Sequence, residues 1–343
     1  MGRRRVAGSA GAHADRRLTM DLRTLYAPAH VTHWSLARHA LVEALRSCGA
    51  TNGATVLLPS FVCRDLLGAV AIAGARHAYY DVDDRLQPLD LPTGARAVLA
   101  VDYFGFATPM EPFRDYCRAS DATLIEDNAH GLFSRDADGA LLGMRGDLGI
   151  LSMRKSLRLA DGGALLDCRP GAAHDEPACD PDAGQGGAGI RAAVASVERR
   201  TGLPVMAVMR AGVRAARRAA GRPTLPSSGD EDERHVPGSP SISCSSLERL
   251  SRADAPHEAE RRRDLWRAVT ADLDGVRGVR LINDRLPDGT VPYGVAVHAD
   301  HDDVLRAVAR RHRATAMAWP ALPADVTSDA PRHYRDVKLV NFL

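Results

Sequence analysis

LIEDNAHGLFSRDADGALLGMRGDLGILSMRKSLRLADGGALL, residues 124–166, is the stretch whose reading decides the fold. It opens on an apolar run that ends at Glu126-Asp127, with His130 close behind and a Gly-rich connector after it. A second apolar run, Leu148 to Leu151, delivers Ser152, Arg154 and Lys155. Two strands that each carry polar residues at their ends predict the rim of an α/β sheet, where ligands bind beyond the carboxyl ends of strands.

Working outward, the texture repeats. Ser35 to Cys48 places Leu36, Ala40, Leu41, Ala44 and Leu45 on one face, which predicts an amphipathic helix capped by Ser35. Thr55–Leu58, His77–Val82, Ala97–Tyr103 and Thr123–Glu126 read as strands, with helices over Arg64–Ala73 and Met110–Ser120 between them. Strands spaced by helical segments predict an α/β domain over residues 19–168, a mostly parallel sheet with crossover helices. Residues 1–18 read as a disordered tail. Residues 169–246 read as an irregular and helical connecting region that includes an arginine-rich helix over Ile190–Gly221. Residues 247–343 read as a small C-terminal α+β domain, entered by a long helix over Leu247–Leu273. The closing run VKLVNFL predicts a strand cut by the end of the sequence, and so an incomplete domain.

Composition narrows the function. Of 343 residues, 45% are hydrophobic and 26% charged, ordinary values for a globular protein. A net charge of +2 argues against a nucleic-acid binder, and no apolar run reaches the ~20 residues of a membrane-spanning helix. Six scattered cysteines without CxxC pairs predict reduced thiols in a cytoplasmic protein, with neither a disulfide framework nor a metal site.

Only two of the 45 basic residues are lysines, Lys155 and Lys338. In a chain so committed to arginine a retained lysine is informative, because arginine cannot form a Schiff base at neutral pH. A lysine, a carboxylate and an imidazole at one sheet rim match the needs of pyridoxal 5'-phosphate (PLP). Lys155 would bond the cofactor, Asp127 would hold its pyridine nitrogen and His130 would touch it. The plainer alternatives are a surface lysine, a helix-capping aspartate and a buried core histidine. Cys63 reads as a small core thiol rather than a nucleophile. Arg261-Arg262-Arg263 reads as a solvated face.

The ordered series VLLPSFVC, YYDVD, AVDYFGF, LIEDNAHG and GDLGILSMRKSLRLADGGALL resembles the DegT/DnrJ/StrS-type sugar aminotransferases. The resemblance implies the fold-type-I PLP architecture and a homodimer with a shared active site. It also implies a small-molecule amino donor and a keto-sugar acceptor carried on a nucleotide. On this resemblance Lys155 is the catalytic lysine, Asp127 binds the pyridine nitrogen, His130 stands beside the ring and Ser152 touches the phosphate. The family's Ser-Gly-Thr phosphate cup appears here as Leu36-Ala37-Arg38, so Ala37 backbone and the Arg38 charge would serve in its place. Cys63 stands where a ring-stacking aromatic is usual, with Phe61 near. These departures leave two alternatives open: a PLP lyase, or a degenerate member that binds a metabolite or partner without turnover.

Overall fold

A seven-stranded sheet, built from β1 (His30–Trp34), β2 (Thr55–Pro59), β3 (Arg76–Tyr80), β4 (Ala97–Val101), β5 (Thr123–Asn128), β6 (Leu148–Leu151) and β7 (Gly163–Asp167), forms the centre of the protein. The structure, a computed structural model, describes residues 20–183 and 233–343. The expected tail, the arginine-rich helix at 190–221 and most of the acidic run before Glu233 lie outside the described residues.

The strand order is β1-β7-β6-β5-β4-β2-β3, and every strand runs parallel except β7, which pairs antiparallel with both β6 and β1. All residues of β4, β6 and β7 are buried. Burial on both faces is why these strands read as continuous apolar runs rather than as alternations. The helices are α1 (Leu22–Leu25), α2 (Ala37–Ser47), α3 (Asp65–Ile72), α4 (Glu111–Ser120) and α5 (Met153–Ser156). From β2 the chain passes outward to β3, then returns to lay β4 on the other side of β2. That reversal opens a crevice at the carboxyl ends of the strands.

The predicted cap of α2 is corrected. Leu36 occupies the N-cap without a side-chain bond, and the Ser35 hydroxyl donates instead to the carbonyl of Ser239. A partner two hundred residues away outcompeted the local one. Gly163 explains how tightly the helix start is seated, since a Cβ there would lie 2.3 Å from the Ala37 nitrogen.

The predicted long helix over Leu247–Leu273 is two helices, α6 (Cys244–Ser251) and α7 (Ala255–Leu273). Asp254 accepts the His257 N–H at 3.0 Å and Pro256 stands in the first turn, a helix start that the apolar periodicity overran. α7 and α8 (Asp302–Arg311) pack against a four-stranded antiparallel sheet of β8 (Val279–Leu281), β9 (Gly294–Ala299), β10 (Thr315–Ala318) and β11 (Val337–Asn341), in the order β10-β11-β9-β8, whereas Leu250 of α6 joins Leu22, Tyr26 and Val31 in a separate core. The run VKLVNFL thus forms an inner strand. Its Val340 and Phe342 join Trp266, Val269 and Leu273 of α7 and Leu305 of α8 in a second core.

The expectation of six reduced thiols is also corrected: Cys179 and Cys244 form a disulfide across 65 residues of sequence. The fold brings their Cα atoms within 5.0 Å, where Asp180 bridges to Ser243. Cys48, Cys63, Cys117 and Cys168 are not disulfide-bonded. Among the described residues no helix is long and apolar enough to cross a membrane, and no cluster of three or more His, Cys, Asp or Glu is placed to hold a metal.

Candidate active site

The crevice is a cleft of about 290 Å³, near the small end of ligand sites. Its floor is the carboxyl edge of the sheet and its far wall comes from the small domain. Strand alternation separates the two adjacent carboxylates of β5. Glu126 accepts from Arg145 Nε at 2.7 Å, and the same guanidinium reaches Asp102 at 2.6 Å, so Glu126 belongs to a buried ionic cluster. Asp127 instead lines the cleft. Its Oδ1 accepts the Ala129 N–H at 2.9 Å. Burial pushes its carboxyl up, against the pull of the Lys155 charge and that hydrogen bond.

Lys155 sits in the single turn α5, directly beyond β6, and so beside the end of β5. Its Nζ lies 3.2 Å from His130 Nε2. His130 Nδ1 accepts the Phe104 backbone N–H at 3.3 Å. A neutral imidazole that accepts at Nδ1 carries its proton on Nε2, so the contact is satisfied when Lys155 offers a lone pair. Burial lowers the basicity of Lys155, and holds His130 well below its ordinary pKa with the Lys155 charge adding to the effect. The pair therefore favours a neutral amine, the nucleophilic form.

This neutrality has a pH consequence. Below about pH 6.5 the unfolded histidine takes up a proton that the folded one refuses. The unfolded state then binds more protons, so stability falls as pH falls through that range. His130→Gln is expected to flatten that acid limb. Denaturant unfolding of both proteins between neutral and mildly acidic pH measures it, and identical limbs would show that His130 is not the group responsible.

Leu36, Ala37 and Arg38, at the start of α2, line the same cleft as Ser152 and Arg154, which flank Lys155. Arg38 Nη1 stands 3.4 Å from Asp65 Oδ2, an ion pair that leaves this nitrogen without a hydrogen bond. Arg154 Nε is likewise buried without a hydrogen-bond partner. Cys63 lines the cleft too, and burial raises its thiol to about 11, so it is no thiolate nucleophile at neutral pH. The structure does not bring Phe61 to the cleft. Its ring is fully buried behind the wall, 5.4 Å from Trp319 and 5.0 Å from Tyr334.

The sequence profile of the DegT/DnrJ/EryC1/StrS aminotransferase family matches residues 13–173. That segment carries the family's pattern. A dTDP-4-dehydro-2,3,6-trideoxy-D-glucose 4-aminotransferase of Saccharopolyspora spinosa is 35% identical over 131 residues, 36% of this chain and 34% of the relative. An L-glutamine:2-deoxy-scyllo-inosose aminotransferase of Streptoalloteichus tenebrarius is 27% identical over 164 residues, 45% of this chain and 38% of the relative. The chain thus spans little more than a third of the length of the curated relatives it matches. In fold it is similar to the aminotransferase TlmJ of Streptoalloteichus hindustanus, with a TM-score of 0.59 at 21% identity, over 91% of this chain and 80% of that one.

The segment that matches the aminotransferase family does not contain the whole cleft. Tyr293 and Trp319 come from the small domain, and sequence reasoning missed both. Tyr293 stacks on His130 at 4.6 Å and Trp319 meets it edge-on at 5.2 Å. Neither carries a local signal, because each is one aromatic in a short strand or loop. Arg262 is a correction: of the three arginines read as a solvated face, it is only 1% exposed. Its Nη2 donates to the carbonyls of Ser156 at 2.8 Å and Lys155 at 3.3 Å, and its Nε to Glu258 at 2.7 Å. Arg262 thereby ties the lysine turn to α7. The signal was present, since 262 shares the helix face of Trp266, Val269 and Leu273.

Proposed function

We propose that this chain is a PLP-dependent aminotransferase that moves an amino group from a small-molecule donor onto a keto-sugar, carried on a nucleotide as in the dTDP-linked relative. We take it to be a homodimer with a shared active site, as the family resemblance implies. The observation that carries the reading is the pairing of Lys155 and Asp127 at the ends of two parallel neighbouring strands, inside one cleft, with His130 3.2 Å from the amine.

The donor set fits PLP. Burial raises the Asp127 carboxyl, and a pyridinium N–H beside it would supply an opposite charge that favours its ionised form. Burial lowers the basicity of the Lys155 amine that would bond the aldehyde. Arg38 and Arg154 bring to the cleft buried nitrogens that lack hydrogen bonds and could meet a phosphate.

When bound, PLP supplies an aldehyde that condenses with amines and a ring that accepts electrons from the donor's α-carbon. Asp127 would hold the protonated pyridine nitrogen. The Lys155 amine, when free, would take the proton from the donor's α-carbon and deliver it to the cofactor's former aldehyde carbon. His130 orients the amine through Nε2, and Tyr293 and Trp319 hold the imidazole in place and exclude water. A reading without turnover draws support from one feature, the Asp65 carboxylate beside Arg38 at the phosphate end.

The test is direct. PLP titrated into the purified protein should give a yellow, lysine-dependent absorbance, and incubation with amino donors and keto-sugar nucleotides should consume donor amine. A protein that never takes up PLP would overturn the proposal; one that turns yellow but consumes no donor with any acceptor would favour the reading without turnover.

A further inference from the structure

Arg154 immediately precedes the lysine, in a turn of four residues, and it lines the cleft. Its Nε is buried without a hydrogen-bond partner, and burial lowers the basicity of the guanidinium. A charged donor in that position is costly unless an anion arrives to meet it. Arg38 Nη1, in the wall of the same cleft, is also buried and lacks a hydrogen bond, with the Asp65 carboxylate beside it at 3.4 Å. Two guanidiniums against that carboxylate leave an excess of positive charge at this end. The start of α2 adds to it, because Leu36 offers its first turn no side-chain cap.

We infer that Arg154 and Arg38 together form an oxyanion seat for the cofactor's phosphate, with Arg154 the principal donor. The inference rests on the reading of the cleft as a PLP site. In PLP the phosphate arm springs from the ring carbon next to the one that carries the aldehyde, so the phosphate would lie near the lysine's chain neighbours and away from Asp127. Ser152 and Arg154 are those neighbours. A guanidinium gives a phosphate several donors in a fixed plane, which a hydroxyl and a glycine N–H do not. The seat is thus rebuilt from the lysine side of the cleft, where the sequence lacks the Ser-Gly-Thr of related proteins.

The experiment compares PLP with pyridoxal, which has the same aldehyde and ring but no phosphate. Each is titrated into wild type, Arg154→Gln and Arg38→Gln, and the absorbance of the lysine-bound form is followed. Thermal melting of the ligand-free proteins confirms that the variants fold. The seat predicts that Arg154→Gln weakens PLP about tenfold to a hundredfold, the cost of a lost hydrogen bond to a charged group. Pyridoxal affinity should stay within about twofold, and Arg38→Gln should give the same pattern with a smaller loss. Unchanged PLP affinity in Arg154→Gln overturns the seat. So does an equal loss for both aldehydes, which would mean that Arg154 holds the lysine turn, and so does a loss confined to the donor's KM, which would assign the guanidinium to a donor carboxylate. If wild type binds neither aldehyde, the PLP reading itself falls; if wild type and variant bind PLP alike, only the seat does.

Discussion

Lys155→Arg is expected to leave the fold in place while removing the lysine-bound absorbance with PLP and at least about 10²–10⁴-fold of any transamination, the usual contribution of a positioned acid–base group. The reasoning has two parts. A guanidinium stays protonated at every pH the fold survives, so it can neither bond an aldehyde nor accept a carbon-bound proton. The lysine turn, by contrast, is held through backbone carbonyls by Arg262, at 2.8 Å to Ser156 and 3.3 Å to Lys155, and those bonds do not depend on the side chain. Melting temperature should therefore move little, while His130 loses a partner that accepts at Nε2. Lys338 is no substitute, since it lies on β11 with its Nζ donating to the Arg335 carbonyl. Absorbance spectra and donor-consumption assays of the variant decide the matter. A variant that stays yellow and turns over would remove Lys155 from the chemistry.

Asp127→Asn should keep PLP bound yet lower turnover by several orders of magnitude, because a neutral amide cannot hold the proton on the pyridine nitrogen that makes the ring an electron sink. The substitution is nearly isosteric, and the Asn Oδ1 can still accept the Ala129 N–H that Asp127 now receives at 2.9 Å. It also relieves the burial that pushes the carboxyl up, so the folded protein should be no less stable. Neighbouring Glu126 cannot take over, being bound to Arg145 on the other face of β5. Rate loss with unchanged melting is the expected pattern, read from PLP titration, turnover and thermal unfolding together. Near-normal turnover would take Asp127 out of the site, and an effect on melting alone would make it a structural cap of the turn at Ala129.

What the sequence by itself determined were the features that depend on a few consecutive residues. The continuous apolar runs of β4 and β6 specify buried parallel strands, and their spacing by helices specifies the crossover sheet. The scarcity of lysine singled out Lys155, and its place behind β6 put it at the rim with Asp127. Tertiary structure alone decided whatever depends on a partner far along the chain. Ser35 reads as a local cap but donates to Ser239, and Cys179 reads as an isolated thiol but meets Cys244. Arg38 reads as a free charge for a phosphate, yet Asp65 already stands beside it. Tyr293 and Trp319 come to His130 from a second domain. The physical reason is common to all of these. Secondary structure is set by local periodicity and steric preference, which one segment carries within itself, whereas the pairing of a buried charge, thiol or ring is settled by what else the fold buries at the same point.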